Sequence, residues 1–154
     1  QQIPRPLAGT MIRTAGGGLG ASGGMALGYK LARPETMLVQ IVGDGAFYYN
    51  CPTSVLAVSR QYDLPMLTVV LDNAGWSAVK ESTLRVYPDG AARKGGDFAS
   101  DFRDDTDFAA IAAMFGFKGL RLSVPGDVGP MIDEAVATVR AGTSVILHVR
   151  LPRH

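Results

Sequence analysis

The chain has 154 residues, enough for one domain with its own hydrophobic core. Charged residues make up 19% of it, below the roughly 25% typical of soluble domains, so we expect another protein surface to cover part of this one. With 15 basic and 14 acidic residues the net charge is +1, which gives no electrostatic case for nucleic acid or a membrane as a partner.

The termini and the rare residues indicate the cellular compartment and the extent of the polypeptide. A single cysteine, Cys51, excludes an internal disulfide and fits a reducing compartment, so we expect a cytoplasmic protein. No apolar run reaches membrane-spanning length, and the opening QQIPRPLAGT lacks the charged-then-apolar layout of a signal peptide. Because an initiator Met is also missing, we expect a fragment of a longer polypeptide. The two histidines, His148 and His154, are interpreted as a strand residue and a tail residue, not as metal ligands.

The first recognisable feature is the glycine-rich run TAGGGLGASGG at 14–24, which leads into a predicted helix over 19–32. It contains a GxGxxG match, but a dinucleotide site needs a strand before that pattern, and prolines and a glycine interrupt the preceding residues. A second interpretation is that the glycines allow tight packing at the start of a helix. A third is close backbone contact with a flat heterocycle, which only the rest of the sequence can support.

Two apolar runs follow, at 37–42 and 66–71, separated by a predicted helix at 52–63 that opens with proline. Both runs are nearly continuous in apolar residues, as strands covered on both faces of a parallel sheet are. Each run ends in a polar turn, GDG at 43–45 and DNAGW at 72–76.

The segment from 76 to 105 interrupts this pattern. It is charged, contains glycines and has no sustained periodicity, although SAVKESTL at 77–84 is compatible with a short helix. Connections of this length are usually lids, binding loops or disordered segments. Because it leaves directly from the second polar turn, we interpret 76–105 as a flexible active-site loop and not as a solvated excursion.

The remaining elements repeat the alternation of helix and strand. Strands are predicted at 118–123 and 144–151, and helices at 106–116 and 126–142. The first of these helices has Thr106 or Asp107 as a cap, Gly116 as its stop, and one apolar face. That face comprises Phe108, Ile111, Ala112 and Phe115, and the apolar stripe of the second helix comprises Val128, Met131, Ile132, Ala135, Val136 and Val139. The fold class is therefore α/β, a parallel sheet flanked by helices.

The two polar turns are candidates for a metal site. Parallel strands bring their carboxyl ends to one edge of the sheet, so Asp44 and Asn73 are expected side by side. A carboxylate, an amide oxygen and a nearby backbone carbonyl form an oxygen-only set that suits Mg²⁺ shared with phosphate. Zinc would require His or Cys at these positions.

In their order along the chain, these motifs resemble the thiamine-diphosphate-dependent enzymes, specifically the cofactor-diphosphate domain of the acetolactate synthase and benzoylformate decarboxylase group. GDG at 43–45 is followed by 26 residues, 46 to 71, and then by DN at 72–73. GGLG at 17–20 and ALGYKLARP at 26–34 precede GDG as in that group, and DFAAIAAMFGFKGLRL and SVILHVRL are similar to its closing elements. The resemblance covers nearly the whole chain and predicts a single thiamine-diphosphate-binding domain over 1–154.

The resemblance also implies roles for individual residues. Asp44 and Asn73 would bind Mg²⁺ through their side chains and Gly75 through its carbonyl, and Gly45 and Ala46 would contact the cofactor's diphosphate. Ala46 departs from the serine often found at its position, and Asp72 replaces the first Asn of the usual pair, where it is interpreted as structural. The remaining residues implied to lie at the cofactor are Gly17, at the aminopyrimidine, Leu19, which would support the bent cofactor, and Trp76, Ser77 and Ala78 after the metal turn.

In this family a glutamate on a separate domain activates the aminopyrimidine, and no motif for that domain occurs here. The resemblance thus implies a pyrimidine-binding partner domain in the same or a partner subunit, a homodimer or homotetramer, and a chain that is inactive alone. The implied reaction cleaves or forms carbon–carbon bonds next to a carbonyl in a 2-oxo acid or aldehyde. The alternatives are a nicotinamide-dependent oxidoreductase, which leaves GDG and DN unexplained, and a non-catalytic domain that retains the fold.

Overall fold

Four parallel strands form the centre of the domain. The computed structural model describes residues 7–13, 18–96, 98–102 and 106–152. Within these ranges the strands are β1 Val39–Gly43, β2 Leu67–Asp72, β3 Lys118–Leu122 and β4 Val145–Arg150. They pair in the order β1-β2-β4-β3, every pair parallel, so the predicted parallel sheet is confirmed.

Helices connect the strands. In the described part of the chain they are α1 Ala21–Ala32, α2 Asp44–Tyr49, α3 Pro52–Gln61, α4 Ser77–Val86, α5 Ala91–Gly95, α6 Ala110–Ala113 and α7 Val128–Arg140, with a 3-10 turn at Pro125–Asp127. Proline stands in the first turn of α3, as predicted. None of the helices in these ranges has the length and apolar character that crossing a lipid bilayer requires.

Both faces of the two central strands, β2 and β4, are covered, which explains why these strands are apolar without alternation. Only alternate residues of β1 are buried, so for β1 the predicted cover on both faces is not found. On one face Val70 and Ile146 pack with α3 and the Phe108 region, and on the other Leu67 and Leu147 pack with α7. Burying each of these side chains stabilises the fold by about 1.5–3 kcal/mol. The sheet is therefore a rigid platform whose carboxyl edge carries the polar turns.

The helix predicted over 106–116 is shorter than expected. Only Ala110–Ala113 is α-helical, with hydrogen-bonded turns on either side, but its predicted apolar face is in the core. Gly116 ends it with a positive φ of 71°, as a stop signal should.

The apolar stripe predicted for α7 is only partly buried. Met131, Ala135 and Val139 pack against the sheet, but Val128 and Ile132 are 40% and 42% exposed. The prediction concerned only which residues form the stripe, and a helical repeat shows which face is apolar and not whether the same chain covers it.

The segment 76–105 contains more regular structure than its sequence indicates. The short helix predicted over 77–84 is confirmed as α4, and α5 follows it. Beyond α5, Asp101 forms an antiparallel bridge with Gly75. The described part of the segment therefore leaves the carboxyl edge of the sheet and returns to it.

Candidate functional site

The register of β1 and β2 brings the two polar turns together. Gly43 pairs with Leu71, so Asp44 and Asp72 follow at neighbouring strand ends. Asp44 is only 2% exposed, and its Oδ1 accepts the Gly45 N–H at 2.7 Å while its Oδ2 accepts the Gly75 N–H at 3.0 Å. The carboxylate after β1 thus directly contacts the backbone of the turn after β2.

Asn73 and Gly75 are the two residues of the second turn that were predicted to complete the oxygen set. The amide Nδ2 of Asn73 donates to the Ser77 hydroxyl at 2.6 Å, which leaves the amide oxygen as the atom suited to a cation. The bridge to Asp101 uses the carbonyls of Ala74 and Ser100, through bonds from Phe102 N at 2.8 Å and Trp76 N at 2.7 Å. It does not use the carbonyl of Gly75.

Gly75 is also required sterically. A Cβ at this position would lie 2.6 Å from the Ser100 carbonyl oxygen, closer than real Cβ contacts. Any side chain at residue 75 would push residues 100–102 away from the turn, so glycine allows these residues to lie against it.

Asp72 organises the second turn. Its Oδ1 accepts the Ala74 N–H at 2.9 Å, and its Oδ2 lies 2.7 Å from His148 Nε2 and also accepts from Arg150. Ala74 has a positive φ of 60°, an unfavourable conformation for a residue with a Cβ. The structural role predicted for Asp72 is therefore supported by its contacts.

The carboxyls of Asp44 and Asp72 have opposite pKa shifts. Burial, and then the neighbouring Asp72 carboxyl, raise the pKa of Asp44 although the N–H groups of Gly45 and Gly75 oppose this. Burial would also raise the pKa of Asp72, but hydrogen bonds from His148, Ala74, Arg150 and Asp44 lower it. Of the two carboxyls, Asp72 is therefore the one that ionises at the lower pH.

Gly45 and Trp76 are in close contact across the two turns. A Cβ on Gly45 would lie 2.1 Å from both Cδ1 and Nε1 of the Trp76 indole. Trp76 also packs edge-on against Phe102, with ring centroids 4.9 Å apart, and lies 6.2 Å from the ring of Tyr49. Its Nε1 is buried without a hydrogen-bond partner, so the indole N–H is a donor that a bound acceptor group would satisfy.

Two glycines of the glycine-rich run, Gly20 and Gly23, serve packing. Gly20 has a φ of 88°, and a Cβ there would lie 2.2 Å from the carbonyl oxygen of Tyr49. The Gly23 N–H donates to Asn50 Oδ1 at 3.0 Å, and a Cβ on Gly23 would lie 2.7 Å from a methyl of Val55. These glycines let the start of α1 pack closely against the end of α2 and the start of α3.

The other residues predicted to contact the cofactor lie in several different parts of the chain. Gly17 lies outside the described residues. Leu19 is 57% exposed, so its predicted contact would have to be with a bound molecule. Ala46 in α2 packs against the core, whereas Ser77 and Ala78 begin α4.

Three residues at the site were not predicted from the sequence as functional: Asn50, His148 and Arg150. Asn50 joins α1 to α2, and the other two hold Asp72. A signal for the last two was present, because His148 and Arg150 alternate on one face of a strand that is otherwise apolar.

The donor chemistry fits magnesium with a diphosphate. Among the described residues, no three His, Cys, Asp or Glu side chains come together as metal ligands. The set at the strand ends instead offers one carboxylate, one amide oxygen and one carbonyl. Mg²⁺ accepts such a small oxygen set when phosphate and water complete its octahedral shell.

Comparison with known proteins identifies the family. The sequence model for the thiamine pyrophosphate enzyme C-terminal TPP-binding domain matches residues 3–149. The large subunit of acetolactate synthase isozyme 3 from Escherichia coli is 33% identical over 136 residues, 86% of this chain and 22% of that protein. A probable acetolactate synthase large subunit from Methanococcus aeolicus is 28% identical over 123 residues, 78% of this chain and 19% of that protein.

Solved structures show the same fold. Benzoylformate decarboxylase from Polynucleobacter necessarius superposes with a TM-score of 0.68 at 22% identity, over 90% of this chain and 24% of that one. A thiamine diphosphate-dependent 4-hydroxybenzoylformate decarboxylase from Rhodococcus jostii gives 0.67 at 20% identity, over 88% and 24%. The chain thus spans about a fifth to a quarter of the length of these relatives. It belongs to the thiamine pyrophosphate enzymes and corresponds to their C-terminal cofactor-binding domain.

Proposed function

We propose that Asp44, Asn73 and Gly75 bind a Mg²⁺ ion that is shared with the diphosphate of thiamine diphosphate. The observation that carries this proposal is the 3.0 Å hydrogen bond from the Gly75 N–H to Asp44 Oδ2. It brings the carboxylate of one strand end to the backbone of the other, where Asn73 and the Gly75 carbonyl stand.

The chain's own residues would prepare the site for the diphosphate. Gly45, in the first turn of α2, would contact the diphosphate through its backbone, and its lack of a side chain leaves room for the Trp76 indole. The unpaired Nε1 of Trp76 would donate to the same ligand. Of the other residues proposed to contact the cofactor, Ala46, Ser77 and Ala78 lie in the first turns of α2 and α4, and Gly17 and Leu19 precede α1.

We further propose that the complete enzyme cleaves or forms carbon–carbon bonds next to a carbonyl in a 2-oxo acid or aldehyde. When bound, the cofactor supplies an electron sink for that bond change. Because the relatives matched by sequence are named acetolactate synthases, carboligation is the first reaction to assay, and decarboxylation is the second.

The rest of the catalytic machinery is proposed to come from a pyrimidine-binding domain in the same or a partner subunit of a homodimer or homotetramer. The activating glutamate would lie on that domain. The relatives are four to five times longer than the matched region, which supports this division. The segment 76–105 is proposed to contact the substrate, since its described end returns to Gly75.

A nicotinamide-dependent oxidoreductase is not favoured. Its glycine pattern should follow a strand, and in the described ranges no strand precedes α1. Gly20 and Gly23 are also engaged in packing against Tyr49, Asn50 and Val55.

Calorimetric titration of the full-length protein tests the proposal. Thiamine diphosphate with Mg²⁺ is expected to bind, and chelation of the metal is expected to remove binding, whereas NAD(H) gives no heat. Asp44→Ala removes the carboxylate of the donor set and should abolish Mg²⁺-dependent binding. Asp133→Ala, the same substitution on an exposed position of α7, is the matched control and should bind as wild type does.

Wild-type affinity in the folded Asp44→Ala protein would refute the ligand assignment. If the intact wild-type protein does not respond to thiamine diphosphate at all, the non-catalytic alternative is the better account.

A further inference from the structure

We propose that His148 and Arg150 are positioning residues that hold the metal-binding turn in shape from the neighbouring strand β4, acting through Asp72. The proposal rests on the function proposed above. It assigns a role to the end of β4, a strand that contributes none of the proposed metal ligands.

The register of β2 and β4 makes this contact possible. Asp72 pairs with Arg150 and Val70 pairs with His148. Because alternate residues of a strand share a face, His148 and Arg150 lie on the same side as Asp72. His148 and Asp72 are 8% and 2% exposed, so water does not compete strongly for this contact.

The two carboxylate oxygens of Asp72 bind different partners. Oδ2 accepts from His148 Nε2 at 2.7 Å and from Arg150, whereas Oδ1 accepts the Ala74 N–H at 2.9 Å. The Arg150 guanidinium can only donate, and the histidine nitrogen lies at hydrogen-bond distance from the same oxygen. The residues of β4 thus fix one side of the carboxylate, and the other side fixes the turn.

The turn needs this support. Ala74 is held in the left-handed region at a φ of 60°, which residues with a Cβ adopt only when their surroundings enforce it. The conformation of Ala74 points the Gly75 N–H at Asp44 Oδ2. A carboxylate at Asp72 that lost its donors would be free to turn, and the Asp44–Gly75 contact would loosen with it.

His148 is itself locked in place. The ring of Phe108 packs edge-on against it, with centroids 5.1 Å apart at 82°. Its Nδ1 lies 3.7 Å from Asp107 Oδ1, and Asp107 is held by Arg121 and by the Ala109 N–H. A buried side chain fixed on both sides can transmit its position to Asp72 without contacting the metal.

The test uses the full-length protein and compares His148→Leu with His148→Gln. The leucine variant keeps the bulk but loses the donor, whereas the glutamine amide offers an N–H near the position of Nε2. Mg²⁺ is titrated calorimetrically at a fixed, saturating concentration of thiamine diphosphate. Loss of a residue that orients a metal site typically weakens metal affinity by about 10–100-fold, and this is the effect expected for His148→Leu.

Rescue separates positioning from simple stability. We expect His148→Gln to recover most of the Mg²⁺ affinity. We also expect excess Mg²⁺ to restore kcat in His148→Leu, while the added Mg²⁺ changes the melting temperature of this variant by the same amount as it changes that of wild type. Arg150→Met should weaken Mg²⁺ binding in the same direction. Arg140→Met, at an exposed position in the last turn of α7, is the matched control and should bind Mg²⁺ as wild type does.

Each outcome decides the inference. Wild-type Mg²⁺ affinity in His148→Leu overturns it, and so does a loss that neither glutamine nor excess Mg²⁺ restores. Should His148→Leu fail to fold, Arg150→Met carries the test, and wild-type affinity there overturns the proposal. Failure of the wild-type protein to bind thiamine diphosphate and Mg²⁺ is a different result, because it refutes the proposed function itself.

Discussion

Neighbouring glycines at the start of α1 differ in what surrounds them. Gly20 has a positive φ and touches the Tyr49 backbone, whereas nothing lies within 4 Å of a Cβ placed on Gly24. The two positions are four residues apart in the same run. Substituting each of them therefore shows whether the close contact of Gly20 matters or whether the whole run accepts side chains.

The same substitution at these two positions should have opposite effects. Gly20→Ala forces a Cβ into the Tyr49 carbonyl and should destabilise the fold by about 1–3 kcal/mol. Gly24→Ala lies inside α1 at an exposed position and should stabilise it by up to about 1 kcal/mol. Urea denaturation followed by circular dichroism measures both free energies of unfolding. Equal effects at the two positions would contradict the packing interpretation.

The turn before α6 is an element whose stability depends on one carboxylate. Asp107 accepts the Ala109 N–H at 3.1 Å and pairs with Arg121 on β3. Because α6 begins at Ala110 and its N-cap is Ala109 without a side-chain cap bond, the prediction of Thr106 or Asp107 as the helix cap is wrong, and Asp107 instead closes the preceding turn. The Arg121 guanidinium, opposed by partial burial, lowers the pKa of Asp107. The folded-state pKa therefore lies below the unfolded value of 3.8, so this carboxylate stabilises the fold above that value and the contribution is lost as the pH falls through the folded pKa.

Asp107→Asn tests that pH dependence, because asparagine keeps the accepting oxygen but cannot ionise. Wild type is expected to be the more stable protein at neutral pH, and the difference is expected to shrink as the pH falls below about 4. Chemical denaturation at a series of pH values measures it, with Asp133→Asn on α7 as the control. A difference that stays constant or grows towards acid pH would show that the lowered pKa does not contribute.

Elements differed in how well the sequence predicted them. All four strands were predicted within two residues. For the central strands β2 and β4 the reason is that both faces are buried and the apolar run is continuous. α2 was missed, since six residues that begin Asp-Gly show no helical period. In the segment 76–105 the sequence indicated α4 but not α5 or the Gly75–Asp101 bridge, which depends on contacts across about 25 residues.

The contacts of the candidate site also differ in how well the sequence predicted them. The contact between Asp44 and the turn that contains Asn73 was predictable because both residues follow parallel strands at the same edge. The contacts of Asp72 with His148 and Arg150 were not predictable. They depend on the register between two strands, and the residues in contact are 76 and 78 positions apart in the chain. A strand pattern specifies which face a residue occupies, but the pairing with a distant strand is set by the whole fold.

The molecule as a whole exposes apolar side chains on its edge strand. Val39 and Ile41 of β1 are 45% and 52% exposed, and Val128 and Ile132 of α7 are also exposed. Exposed apolar surface of this kind, together with a charged fraction of 19%, supports the prediction that other parts of the complete enzyme cover the domain. The chain aligns with 22% of the Escherichia coli relative, so most of that enzyme lies outside the matched region.

The central claim is that two neighbouring strand ends bind one divalent cation together with the cofactor's diphosphate. A crystal structure of the full-length protein with thiamine diphosphate and Mn²⁺ in place of Mg²⁺ tests it most directly, because Mn²⁺ can be located by its anomalous scattering. The account predicts one peak within about 2.0–2.3 Å of an Asp44 carboxylate oxygen, the Asn73 amide oxygen and the Gly75 carbonyl oxygen, bridged to the diphosphate. A cofactor bound with the anomalous peak elsewhere, or with Asp44 and Asn73 contacting no common ion, would contradict it.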